Sequence, residues 1–136
     1  MKTKLLIFLL LINAGWASNL QVELPTITKA AERNGIQRDS DDFRLLCAIR
    51  LAENGRPGRE FGIMNPKANT LDKQAGWCAA TIMNQHKRFG SAKVTPEFIH
   101  SLAKRYCPIG CDTDNGTNQY WERNVTYFYG RLKWKR

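Results

Sequence analysis

Glu53 stands where a carboxyl group is hard to ionise. It closes the set Leu45, Leu46, Ile49, Ala52 and Glu53, whose spacing puts all five on one helix face. The other four are apolar. An acid on a buried face loses hydration, and in a last helical turn it also meets the negative end of the helix dipole. Both effects raise its pKa. A carboxyl group that keeps its proton near neutral pH can serve as a general acid, for instance towards a glycosidic oxygen. The bland alternative is an exposed helix end, or a pair with Arg50 or Arg56. A two-carboxylate glycosidase sets its partner ~5–9.5 Å away. Glu60, Asp72, Asp112 and Asp114 are candidates, but none has a diagnostic spacing. Each also reads as a turn or cap residue.

Other chemistries find less support. His86 lies on the Ala75, Ala79, Ile82 side of its segment and reads as packing, while His100 has no Cys or Ser partner at an informative distance. No Gly-x-Ser-x-Gly string occurs. The four cysteines lack the Cys-x-x-Cys knuckles of a structural zinc site. Neither a metal nor a cofactor is expected.

The elements that must position Glu53 follow from the capping residues. A helix is expected over 40–54, with Ser40 as N-cap, Asp41 and Asp42 in the first turn and Gly55 as the stop. A shorter one precedes it over 26–33, ended by Asn34-Gly35. Residues 55–70 hold Gly55, Pro57, Gly58, Gly62 and Pro66 and read as a long loop or small hairpin. The next helix, 71–89, carries Leu71, Ala75, Cys78, Ile82, Gln85 and Phe89 at steps of three or four. Thr95-Pro96 opens another that ends near Arg105. After the turn-rich stretch 106–116, a last helix over 117–129 presents Trp121, Val125, Phe128 and Leu132. The fold class is mainly α, about five helices with two long irregular segments.

The N-terminus has the layout of a removable export signal. Lys2 and Lys4 precede the apolar run 5–12, and Gly15 and Ala17 suit the −3 and −1 positions of a cut before Ser18. The expected organisation is a signal peptide over 1–17 and a single domain over 18–136, secreted or periplasmic, with no membrane-spanning segment left. Export makes disulfides the favoured state of Cys47, Cys78, Cys107 and Cys111. Of three possible pairings, Cys47–Cys78 joins two helices and Cys107–Cys111 flanks one turn. Lys and Arg number 21 against 12 Asp and Glu, and loss of Lys2 and Lys4 leaves a net charge near +7. Outside the cell such a surface meets anionic polymers. No interleaved aromatic and basic stripe points to nucleic acid.

The string 48–55 (AIRLAENG), followed by Phe61-Gly62-Ile63-Met64, resembles the lysozyme-like superfamily, in particular soluble lytic transglycosylases and related glucosaminidases. Ala103-Lys104-Arg105-Tyr106 and Tyr120 to Val125 are similar to later parts of the same pattern, so the resemblance covers about residues 43–129. It implies a lysozyme-like domain whose catalytic glutamate, here Glu53, closes a buried helix. It also implies that Tyr106 faces the acid across a cleft, and that Tyr120 and Trp121 lie near the glycan groove. Asn54 departs from the family's usual serine, and Gly62-Ile63-Met64 only partly matches its Gly-Leu-Met-Gln string. The implied activity is cleavage of peptidoglycan glycan strands by one glutamate, as a lytic transglycosylase or a hydrolase, by a monomer. The rival is a secreted, non-enzymatic protein that holds cell-wall glycan on the same scaffold.

Overall fold

A computed structural model describes residues 14–133, with side chains from Asn19 onward. The basic segment and apolar run of the expected signal lie outside the described residues, as does the end of the basic tail. Among the described residues there are five α-helices and no strand: α1 (Ala14–Arg33), α2 (Asp41–Glu53), α3 (Leu71–Phe89), α4 (Pro96–Tyr106) and α5 (Trp121–Arg131). A single 3₁₀ turn, Asn118–Tyr120, leads into α5. No helix among them is long and apolar enough to cross a membrane.

Local chemistry sets most of the boundaries. The Ser40 hydroxyl accepts from the Phe43 amide, Thr70 from Lys73 and Thr95 from Phe98. Each is an N-cap that satisfies an amide the helix cannot. Thr70, rather than Asp72, caps α3. At the far end of α2 the left-handed turn falls on Asn54 (φ 47°), one residue before the expected glycine stop. Gly55 is needed for another reason: a Cβ there would lie 1.6 Å from the Arg59 carbonyl oxygen.

α1 is longer than the expected 26–33 and runs straight through Pro25. A proline inside a helix loses one backbone hydrogen bond, so tertiary anchors must hold the turns before it. Leu20 and Ile27 are fully buried, and Glu23 grips the Arg50 guanidinium with both oxygens, at 2.7 Å from Nε and 2.7 Å from Nη2.

α2 is the central element and packs against α1, α3 and α5. Every residue from Leu45 to Leu51 is buried, not one face alone. A helix enclosed on all sides cannot leave a charge unpaired, which is why Arg50 has Glu23. In the same core as α2 and its Phe43 lie Phe61, Phe98, Ile82, Leu102 and Leu132, all fully buried. His86 stacks on Phe98 (centroids 4.2 Å apart); its Nδ1 donates to the Ser91 carbonyl, and its Nε2 lies 2.5 Å from Asp42.

The expected disulfides are absent. Cys47, Cys78, Cys107 and Cys111 are all free thiols. Cys47 and Cys78 serve as small core residues, a common use of free cysteine, and burial pushes both thiols far up. The Cys111 sulfur faces Thr113 Oγ1 (3.4 Å) and Asn118 Nδ2 (3.5 Å) rather than Cys107.

Candidate functional site

Residues 55–70 form a loop, not a hairpin, and their backbone groups are satisfied by side chains instead of a ladder. Gln74, buried in the first turns of α3, takes the amides of Phe61 and Ile63 on Oε1 at 3.2 Å each. Its Nε2 donates to the carbonyls of Ile63 (2.8 Å) and Ala68. Arg59 donates to the Ala68 carbonyl at 3.0 Å, and Arg50 reaches the Glu60 carbonyl at 3.4 Å. Phe61 is fully enclosed beneath. One amide on α3 thus does what two strands would do for each other.

That anchoring brings Gly62 onto Glu53. Gly62 has φ +73°, and a Cβ on it would lie 2.2 Å from Glu53 Oε2. Only glycine lets the chain pass this close to the carboxyl group. From the other side the buried indole of Trp121, 5% exposed, donates through Nε1 to Glu53 Oε1 at 2.7 Å. Burial pushes the Glu53 carboxyl up to about 7, against the smaller opposing effect of the Trp121 hydrogen bond. Among the described residues no cation pairs with it. Arg50 turns to Glu23 instead.

Tyr106 supports this pair from behind. Its ring stacks on Trp121 with centroids 5.1 Å apart and planes 28° apart. Its hydroxyl donates to the Phe61 carbonyl at 2.5 Å and also meets the Cys78 thiol. Burial, with Cys78 and Glu53 nearby, raises Tyr106 well above the usual tyrosine range. The hydroxyl is therefore committed to protein groups. Tyr106 positions Trp121 and the loop; it does not present a free hydroxyl. Tyr120, adjoining the Trp121 ring in sequence, is exposed and lies under the Arg123 guanidinium at 4.9 Å.

The four possible second carboxylates are placed as follows. Glu60 is 4% exposed and holds the Gly58 amide at 2.5 Å. Asp72 pairs with Arg33 at 2.8 Å. Asp114 accepts from the amides of Gly110, Gly116 and Asn118, and the Gly110 bond leads in holding it below the usual carboxylate range. Asp112 is exposed. His100 pairs at the surface with Glu122 (2.7 Å). Among the described residues no three His, Cys, Asp or Glu gather as metal ligands.

Comparison with protein-family models, with curated proteins and with solved structures finds no match. The site must be read from its geometry. Sequence reasoning missed Gln74, whose only signal was an amide on a helix face that otherwise packs. It also missed the pairing of Glu23 with Arg50, which are 27 residues apart.

Proposed function

We propose that this chain is a glycan-cleaving enzyme of the lysozyme-like kind, acting on peptidoglycan strands with Glu53 as general acid and then base. One observation carries the reading. Glu53 is a half-buried carboxyl group with no cation, an indole on one oxygen, and glycine backbone against the other. Such a group keeps a proton near neutral pH and can give it up at modest cost.

The Trp121 N–H occupies Oε1, so the acid proton sits on Oε2, on the Gly62 side. Its transfer to the glycosidic oxygen lets the C1–O bond break. The resulting carboxylate then takes a proton either from the C6 hydroxyl of the same sugar or from water. The first closes an anhydro ring; the second is hydrolysis. Three of the four candidate partners, Glu60, Asp72 and Asp114, are engaged by backbone or arginine and only the exposed Asp112 is not, which favours the single-glutamate, anhydro-forming route.

The test is product mass. Incubated with purified peptidoglycan, the protein should release muropeptides lighter by one water than hydrolytic products, and Glu53→Gln should release none. Hydrolytic masses would move the reading to a hydrolase. If the wild type sediments with the wall and releases nothing, the protein holds glycan without cutting it. If Glu53→Gln is as active as the wild type, the site assignment fails.

A further inference from the structure

Away from Glu53, one face of α3 and the end of α1 line an open groove of about 490 Å³ that shares no residue with the site above. Its most prominent member is Trp77, 41% exposed. Tryptophan is highly buried on average, and an aromatic ring left open beside polar groups is suited to a ligand with one apolar face. On the same helix face Trp77 is flanked by Lys73 and Thr81, four residues to either side, and by the small Ala80, with Gly76 just before it. Gly76 lies between the ring and the ends of Arg33 and Asn34, which a Cβ there would meet at 3.8 and 3.9 Å, an ordinary contact.

Lys73, one turn before Trp77, brings an ammonium group with no acidic partner among the described residues; the other polar groups around the ring are neutral or mutually neutralised. Arg33 and Asp72 form a 2.8 Å pair across the groove. Asn34 spends one amide hydrogen on the Ala30 carbonyl. Its Oδ1, and the whole exposed carboxamide of Asn84, make no hydrogen bond among the described residues. Thr81 donates its hydroxyl proton to the Trp77 carbonyl and keeps its lone pairs outward. This set offers one flat apolar surface, amide donors and acceptors, a guanidinium–carboxylate pair and the Lys73 ammonium. A pyranose ring presents the complement, an apolar C–H face edged by hydroxyls and, in an N-acetylhexosamine, an amide. A protein partner would look for larger apolar companions, which Gly76 and Ala80 do not supply.

We infer that the α1–α3 groove is a second, non-catalytic binding site for a β-linked N-acetylhexosamine chain, with Trp77 as its stacking platform. It rests on the wall-glycan reading only for the choice of sugar. Its role is retention: a polymer held at this groove keeps the protein on its substrate between encounters at Glu53.

The experiment uses the full chain as Glu53→Gln, so that no sugar is cut, with the N-acetylglucosamine tetramer as probe. The indole N–H resonances are followed by NMR, and Trp77 is assigned by its loss in Trp77→Phe. The Trp77 signal should move saturably with sugar. Trp77→Ala should bind the tetramer roughly tenfold more weakly, the scale of one lost aromatic contact, while Trp77→Tyr stays near the parent. In the Glu53-intact background, Trp77→Ala should lower the wall-bound fraction yet leave cleavage of short soluble strands unchanged. Movement of the Trp121 signal alone overturns the groove and leaves the Glu53 site standing. An unmoved Trp77 signal overturns the groove whatever the muropeptide assay shows. A Trp77 signal that depends on protein concentration instead of sugar makes the face a contact between copies, and also overturns it.

Discussion

Residues 55–70 and 107–117 carry the same signals, glycine and proline among polar residues, yet they are built in opposite ways. The first is tied to other elements: Gln74 from α3, Arg50 from α2 and Tyr106 from α4 all reach into it, and Phe61 is sealed beneath. The second is tied to itself. Asp114 gathers the amides of Gly110 and Gly116 in its own turn and of Asn118 just after it, Asn118 donates back to the Pro108 carbonyl, and Ile109 stands 74% exposed. A loop held from outside can hold backbone against a carboxyl group with ångström accuracy. A loop held from within only needs to close.

The contrast predicts a graded series. The largest effect belongs to Glu53→Gln, expected to lower muropeptide release by about 10³-fold or more. The same change should raise stability at alkaline pH. The folded-state pKa of Glu53 is about 7 against 4.5 for the free group, so the native state binds that proton more tightly. Its contribution is whole below pH 4.5 and is lost as pH rises to 7, roughly 3 kcal/mol in all. Urea unfolding should therefore show Glu53→Gln more stable than wild type at pH 8 and level with it at pH 4. A wild type whose stability does not fall across that window would contradict the raised pKa.

Gly62→Ala comes next. It places a Cβ on Glu53 Oε2 at a positive φ, and should lower turnover on the order of 10²-fold while costing about 1 kcal/mol or more in backbone strain. An alanine variant with normal turnover would show that the loop does not need its present position. Gln74→Leu leaves two amides and the Ile63 carbonyl without their partner, the Ala68 carbonyl keeping Arg59, and should destabilise the fold by about 3 kcal/mol. Hydrogen exchange at Phe61 and Ile63 reads it directly; unchanged protection there means that the loop holds without the amide. Trp121→Phe removes the bond that lowers the Glu53 pKa, so the alkaline limb of the pH–rate profile should move upward, and a downward move would reverse the assigned role. Asp114→Asn should do least: the local turn loosens and turnover stays as it was. If Asp114→Asn matched Gln74→Leu in lost activity, the two loops would not differ as described.

Much of this frame is legible in the sequence where local chemistry decides it. Ser40, Thr95-Pro96 and the apolar steps of α3 and α5 mark helices that the structure bears out. Legibility fails where distant residues decide. The first helix is expected only over 26–33 because nothing local shows that Leu20 and Glu23, before Pro25, are held by partners further along the chain. α2 reads as one-sided because Arg50 looks like a solvent residue until Glu23 is set beside it. Glu53 is legible as an acid on a buried face, but not its indole partner, since Trp121 reads equally well as core or groove. The cysteines misled because pairing was inferred from compartment, and compartment does not aim a sulfur atom.

The Glu23–Arg50 pair also draws a boundary. Arg50 lies one turn before Glu53 in the enclosed helix, and its counter-charge comes from a residue near the start of the described chain. Trimming before Ser18, where the expected signal cut falls, leaves both Leu20 and Glu23 in place. Trimming past Glu23 strands a guanidinium in the interior, at a cost of about 3–5 kcal/mol. The N-terminal reach of the folding unit is thus set by an electrostatic debt contracted in its middle.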